Sequence, residues 1–202
     1  MPKLLLATTN RGKIREYRHL LSGLPFTLVT PDDVGVDMVV EEKYPTYEEN
    51  ARTKATAYAG ASHLITLADD SGLEVDALGG EPGIRSARAA GEKAQDEDRI
   101  EHLLSRLKDV PREKRTARFK CVIAIAMPGG RTELCQGECE GLIAFQPEGE
   151  KGFGYDPVFY LPEFDKTMAE LPLDIKNQIS HRGRAAREAY RVLEKLAKEV
   201  EA

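Results

Sequence analysis

The sequence predicts an α/β protein built on a mixed sheet. Three observations carry that expectation. Apolar runs of strand length alternate with segments of helical periodicity, as at 4–8 followed by 13–21. One long hairpin is signalled mid-chain, where alternating residues at 116–127 meet Gly129-Gly130 and a second run at 132–145. No repeat, low-complexity tract or linker interrupts the 202 residues, so the chain reads as a single domain over 1–202 or two tightly joined lobes.

The elements follow in order. The run at 4–8 is a buried strand, and Asn10 suits the N-cap of a helix over 13–21. A short strand at 26–29 leads to the turn Pro31-Asp32-Asp33, and 35–44 form a loop rich in acids and valines. Thr46-Tyr47-Glu48-Glu49 matches a capping box, opening a helix to about Gly60 with Ala51, Ala55 and Ala59 as a small-residue stripe. The run 64–68 is a buried strand that ends in Asp69-Asp70-Ser71-Gly72. Residues 76–94 are glycine-rich without clear period, and 96–107 are helical. After the hairpin, 149–157 form a loop and 158–161 a short strand. A last helix starts near Ser180, with Ala186, Ala189, Leu193, Leu196 and Val200 at helical spacing.

Composition narrows the function classes. The chain is 41% hydrophobic and 31% charged, the balance of a globular protein able to bury its own core. No run approaches the ~20 apolar residues of a membrane span, so no membrane partner is expected. The apolar stretch after Met1 is too short for a signal-peptide core, and the expected compartment is the cytoplasm. Cys121, Cys135 and Cys139 are too few and odd in number for a disulfide framework. Cys135 and Cys139 lack the second ligand pair of a zinc site. A net charge of −5 argues against nucleic-acid binding, which wants a basic face. It leaves a nucleotide substrate open, because a metal can offset carboxylates locally.

Five segments could carry chemistry. Thr8, Thr9, Asn10, Arg11, Gly12 and Lys13 follow a strand and open a helix, where free backbone N–H groups, hydroxyls and a lysine make a phosphate cradle. An ordinary capped helix with a surface lysine has the same pattern. Asp69 and Asp70 close a strand, where ligands of open α/β sheets gather. They are otherwise a polar turn. Glu41-Glu42 is a solvated loop pair unless the fold brings it to Asp70. In Gly152-Phe153-Gly154-Tyr155-Asp156-Pro157, two glycines let the backbone approach a flat ligand while aromatics stack on it; a plain glycine loop is the alternative. Lys176 and Ser180-His181-Arg182 place donors near a helix start.

In their order and spacing these segments resemble the inosine triphosphate pyrophosphatase family, nearly end to end. The matching stretches also include 46–54, Gly79-Gly80-Glu81-Pro82-Gly83-Ile84, Ser86-Ala87-Arg88, Thr116-Ala117-Arg118-Phe119 and 166–171. The resemblance implies an elongated two-lobed fold with a central substrate cleft, a homodimer, and magnesium-dependent hydrolysis of ITP, dITP and XTP to the monophosphate and pyrophosphate. It implies Asp70 as the catalytic acid–base and a magnesium ligand. It implies a second ligand among Glu41 and Glu42, with Glu42 favoured. Thr8 to Lys13 and Ser71 are implied as substrate contacts. Phe153, Gly154, Tyr155, Asp156, Lys176, His181 and Arg182 are implied to read the base. Thr9 departs from the family, which often has glycine or another small residue there. The turn must then be reachable without positive φ, or Thr9 adds a hydroxyl contact. A pyrophosphatase for other modified nucleotides and a nucleotide-binding regulator without turnover remain as alternatives.

Overall fold

The apolar run of β1 (Lys3–Leu6) is buried on both faces; the other strands are β2 (Thr27–Val29), β3 (Ile65–Val75), β4 (Pro82–Gly83), β5 (Thr116–Ala126), β6 (Thr132–Ile143), β7 (Phe159–Leu161) and β8 (Lys166–Thr167). The computed structural model describes residues 1–201. The strands make one sheet in the order β2-β1-β3-β5-β6-β7-β8, with β4 on β3. β1 runs parallel to β2 and β3. β3 is antiparallel to β4, β6 to β7, and β7 to β8. The sheet is mixed, as its sequence predicts. The helices are α1 (Arg11–Leu20), α2 (Tyr47–Ser62), α3 (Asp96–Arg106), α4 (Leu173–Ile179) and α5 (His181–Glu201). Among the described residues, no helix is long and apolar enough to cross a membrane.

The chain divides into two compact units. One comprises 1–70, 121–137 and 182–202; the other comprises 71–120 and 138–181. In the first, Leu4 and Leu6 of β1, Tyr17 of α1, Ile123 and Ile125 of β5, and Ala186, Ala189, Leu193 and Leu196 of α5 share one core. The apolar stripe of α5 is therefore the core face its spacing predicts; the side chain of Val200 lies outside the described residues. Each leucine of that core contributes roughly 1.5–3 kcal/mol by leaving water. In the second unit, Leu73 and Val75 of β3 pack with Leu103 of α3, Phe119 of β5 and Phe159 of β7. Arg115 is buried there. It donates from Nε to the Val110 carbonyl at 3.0 Å, from Nη1 to Ala144 at 2.9 Å and from Nη2 to Leu107 at 2.6 Å. One guanidinium thus bonds three backbone carbonyls outside the regular strands and helices.

The structure departs from local sequence signals at three places. The strand expected to stop at Ala68 continues to Val75, so Asp69, Asp70 and Ser71 lie within β3 and not at its end. The fully buried Leu73 and Val75 reward the continuation, overriding the turn propensity of Ser71-Gly72. α2 passes through Gly60 and ends at Ser62, where His63 takes the left-handed conformation at φ 56°. Its Thr46 hydroxyl accepts the Glu49 amide and donates to the Glu49 carboxylate, a variant of the expected box. The helix α4, unmarked in the sequence, precedes α5, and Ser180 joins the two in extended backbone.

Candidate active site

Successive residues of a strand face opposite sides, and Asp69 and Asp70 use that alternation to join two different clusters of the first unit. Asp69 is buried. Lys13 of α1 places Nζ 3.0 Å from both of its carboxylate oxygens. Arg182, the second residue of α5, lies 3.4 Å away through Nε and donates from Nη1 to Glu16 of α1 at 2.8 Å. Burial alone would raise the Asp69 pKa; Lys13 foremost, then Arg182 and Lys54, outweigh it and hold the carboxyl well below the usual carboxylate range. Asp69 is thus a fixed anion whose charge is matched.

Asp70 lies in a different environment. Its Oδ2 accepts a hydrogen bond of 2.9 Å from Asn50 of α2. Burial, and next the negative charge of Glu42, push its pKa up to about 6, against the Asn50 bond, which pulls it down. Asn50 also exchanges bonds with the backbone of Tyr44, at 2.9 Å to its N–H and 3.2 Å to its carbonyl. One turn on, Lys54 pairs with Glu42 at 2.8 Å. Residues four apart share a helix face, so α2 presents Asn50 to Asp70 and Lys54 to the acidic loop together. This arrangement distinguishes the acids of that loop: Glu42 is half-buried and acts on Asp70, while Glu41 is exposed. The sequence did not single out Asn50 or Lys54, although both lie in the 46–54 stretch that carries the family pattern.

A carboxylate whose pKa is raised by burial, and next by a like charge, is a place where a divalent cation favours the ionised form. Among the described residues there is no cluster of three or more His, Cys, Asp or Glu side chains able to cage a metal. Asp70 and Glu42 are carboxylates that could hold a divalent cation of the kind that takes one or two protein carboxylates and completes its shell with water and phosphate oxygens.

The segment 8–13 forms the capped helix start that its pattern predicts. Asn10 caps α1 by accepting the Lys13 amide at 3.0 Å, and the Thr8 hydroxyl accepts the Asn10 amide at 3.2 Å. Thr9 is exposed, and among the described residues the non-glycine ones with positive φ are His63 and Asp165, so Thr9 closes the turn without strain. Arg11 is exposed and Gly12 half-buried beside Lys13.

The second unit carries the glycine loop. Gly152 sits at φ 79° and Gly154 at φ 63°, conformations that a side chain disfavours. At Gly152 a Cβ would also run into the Asp156 carboxylate. Asp156 is buried; its Oδ2 accepts the Phe153 amide at 2.9 Å and forms an ion pair with buried Lys176 of α4. The Lys176 ammonium stands 4.9 Å from the Phe153 ring centroid, within cation–π range. Tyr155 donates to the Ser86 carbonyl at 3.0 Å. His181, first residue of α5, stacks on Phe119 with centroids 4.6 Å apart and planes at 15°. Ser71 is half-buried on β3. The loop, Lys176 and His181 therefore belong to one unit, with Phe119 of the Thr116–Phe119 motif as the support of the imidazole. Arg182 belongs to the charge cluster around Asp69, with two carboxylate partners that the sequence did not foresee.

A mixed α/β sheet here buries a charge-matched carboxylate beside one whose pKa is raised, near a capped helix start and a lysine. The sequence profile described as the Ham1 family matches residues 4–192, and the chain belongs to that family. It is 52% identical over 185 residues to the dITP/XTP pyrophosphatase of Geobacter sulfurreducens, covering 92% of this chain and 93% of that protein. Against the dITP/XTP pyrophosphatase of Bacillus subtilis it is 46% identical over 194 residues, covering 96% and 98%. A HAM1 protein from Coxiella burnetii superposes with a TM-score of 0.87 at 40% identity, covering 96% of this chain and 100% of that one.

Proposed function

We infer that this chain is a magnesium-dependent nucleoside triphosphate pyrophosphatase that converts ITP, dITP and XTP to the monophosphate and pyrophosphate. The observation that carries it is Asp70, buried on β3 with its pKa near 6 beside Glu42, in a chain whose relatives are described as dITP/XTP pyrophosphatases. Asp70 and Glu42 would hold magnesium, which when bound withdraws charge from phosphate oxygens and acidifies water. Release of pyrophosphate requires water to attack the α-phosphorus. The new bond joins water oxygen to phosphorus, the α–β bridging bond breaks, and Asp70 takes the proton as general base. Lys13 and the amides at the start of α1, with Thr8 to Gly12, bind phosphate oxygens whose repulsion otherwise slows the attack.

Base selection is assigned to Phe153, Gly154, Tyr155, Asp156, Lys176, His181 and Arg182, with Ser71 as a further substrate contact. Phe153 offers a ring face, and His181 and Arg182 offer donors to the carbonyl at purine position 6. Adenosine has an amino group there and leaves those donors unpaired, which penalises ATP. We propose a cytoplasmic homodimer: the compartment is inferred from the nucleotide substrate and the dimer from the family resemblance. Light scattering near the monomer mass of 22.4 kDa at micromolar concentration would remove the dimer.

The test is pyrophosphate release from ITP, XTP, dITP, GTP and ATP with magnesium, then with EDTA. Turnover of the first three, lost in EDTA and restored by magnesium, is expected. Absence of pyrophosphate from all three with magnesium present overturns the assignment.

A further inference from the structure

The 152–156 loop has two glycines in left-handed backbone on either side of Phe153, so the ring's position depends on torsions that glycine leaves free. Something must fix those torsions. The Phe153 amide is held by Asp156 within the loop itself, and Asp156 by Lys176. Tyr155 is held at its hydroxyl, a side chain's length from the backbone. A further restraint, from outside the loop, comes from α3. Asp96, first residue of that helix, accepts the Gly154 amide on Oδ2 at 2.6 Å. Its other oxygen takes Arg99 Nη1 at 2.5 Å, and Arg99 Nη2 is fixed on the Ala94 carbonyl at 2.6 Å. The carboxylate is thus oriented by one partner while it grips the backbone of the loop with its second oxygen. A bond from a peptide amide to an ionised carboxylate is among the stronger protein hydrogen bonds.

We propose that Asp96 is a positioning residue for base recognition: it pins the Gly154 amide, fixes the backbone on the far side of Phe153, and so sets the ring against which the purine stacks. This rests on the assignment of Phe153 to Asp156 as base contacts. Asp96 acts through the loop and touches no reacting atom. Its loss should therefore weaken binding of every purine nucleotide while leaving the chemical step alone.

The experiment compares Asp96→Ala, Asp96→Asn and Asp98→Ala in the full-length, magnesium-loaded enzyme. Asp98 caps α3 by accepting the Gln95 amide at 2.8 Å, so its removal loosens the helix start without a bond to the loop. Asp96→Ala should raise KM for ITP about tenfold or more, the weight of one charge-assisted bond, with kcat within about twofold. Amide hydrogen exchange at Gly154 should quicken in parallel. Asp96→Asn keeps an acceptor oxygen and should recover most of the KM. Asp98→Ala should lower Tm yet leave KM and Gly154 exchange near wild type. An unchanged KM in Asp96→Ala, or equal KM rises in Asp96→Ala and Asp98→Ala, overturns the proposal. If Gly154 exchange quickens and KM rises for triphosphates of purines and pyrimidines alike, the positioning holds and the assignment of the loop to purine selection fails. Wild-type enzyme inactive on ITP would overturn the proposed activity, while Gly154 exchange would still test the clamp.

Discussion

The unit that carries Asp70 and the unit that carries Phe153 hold their functional groups by different physics. In the first, buried charges restrain one another. Lys13 and Arg182 meet Asp69, Arg182 meets Glu16, and Lys54 meets Glu42. In the second, a glycine loop is held mainly by hydrogen bonds to its own backbone and aromatic ends, with one buried ion pair between Asp156 and Lys176. A charge cluster fails abruptly, because removing one partner strands an opposite charge away from water. A hydrogen-bonded loop fails by increments of about 1 kcal/mol per bond. The difference suits the proposed division of labour. Phosphate chemistry demands fixed, strong fields, whereas base selection needs a surface that distinguishes small polar edges.

The sharpest way to break the comparison is at Asp70. Asp70→Asn removes the proposed base while its isosteric amide preserves the packing. It should reduce kcat by at least ~10²-fold with an unchanged circular dichroism spectrum. Turnover near wild type would remove Asp70 from catalysis. Arg182→Ala tests the charge cluster itself. It leaves Glu16 and Asp69 buried without their guanidinium and should cost about 3–5 kcal/mol. At this chain length that lowers Tm by roughly 6–20 °C, at about 2–4 °C per kcal/mol. A Tm within about 2 °C of wild type would contradict the network. In the fraction that folds, the proposed base role narrows the ITP-to-ATP ratio of kcat/KM about ten- to a hundredfold. An equal loss on both substrates confines Arg182 to holding carboxylates.

Lys13→Ala should lower kcat/KM by about ten- to a hundredfold, the weight of a charged hydrogen bond. All nucleotides should suffer alike, since the triphosphate is common to them. A loss restricted to one base would move Lys13 into base selection. The smallest effect belongs to the loop. Tyr155→Phe deletes one bond, to the Ser86 carbonyl, and should change KM for ITP by about fivefold, equivalent to ~1 kcal/mol, with kcat kept. A collapse of kcat there would show that the loop bears on chemistry and not only on binding.

Several features were legible from local pattern. The Asn10 cap of α1, the β5–β6 hairpin about Gly130 and the core stripe of α5 follow from spacing and turn residues, because backbone capping and periodicity act within a few residues. The segments at 8–13, 69–72, 152–157 and 176–182 each have an ordinary reading alone and stood out through their order and spacing together. Less legible was the path of β3, whose turn-like Ser71-Gly72 is overruled by burial of Leu73 and Val75. Helix α4 was missed because seven residues give too short a window for periodicity.

By itself the sequence determined the α/β class, the caps and turns, and the segments that carry the family pattern, all through interactions between near neighbours in the chain. Only the tertiary structure decided how the acids differ. Asp69 and Asp70 are adjacent and chemically identical, yet one is matched by Lys13 and Arg182 from α1 and α5 while the other faces Glu42 and Asn50. Those partners come from 20 to 113 positions away in the chain. A carboxylate's protonation depends on charges within a few ångströms in space, a distance that sequence separation does not report.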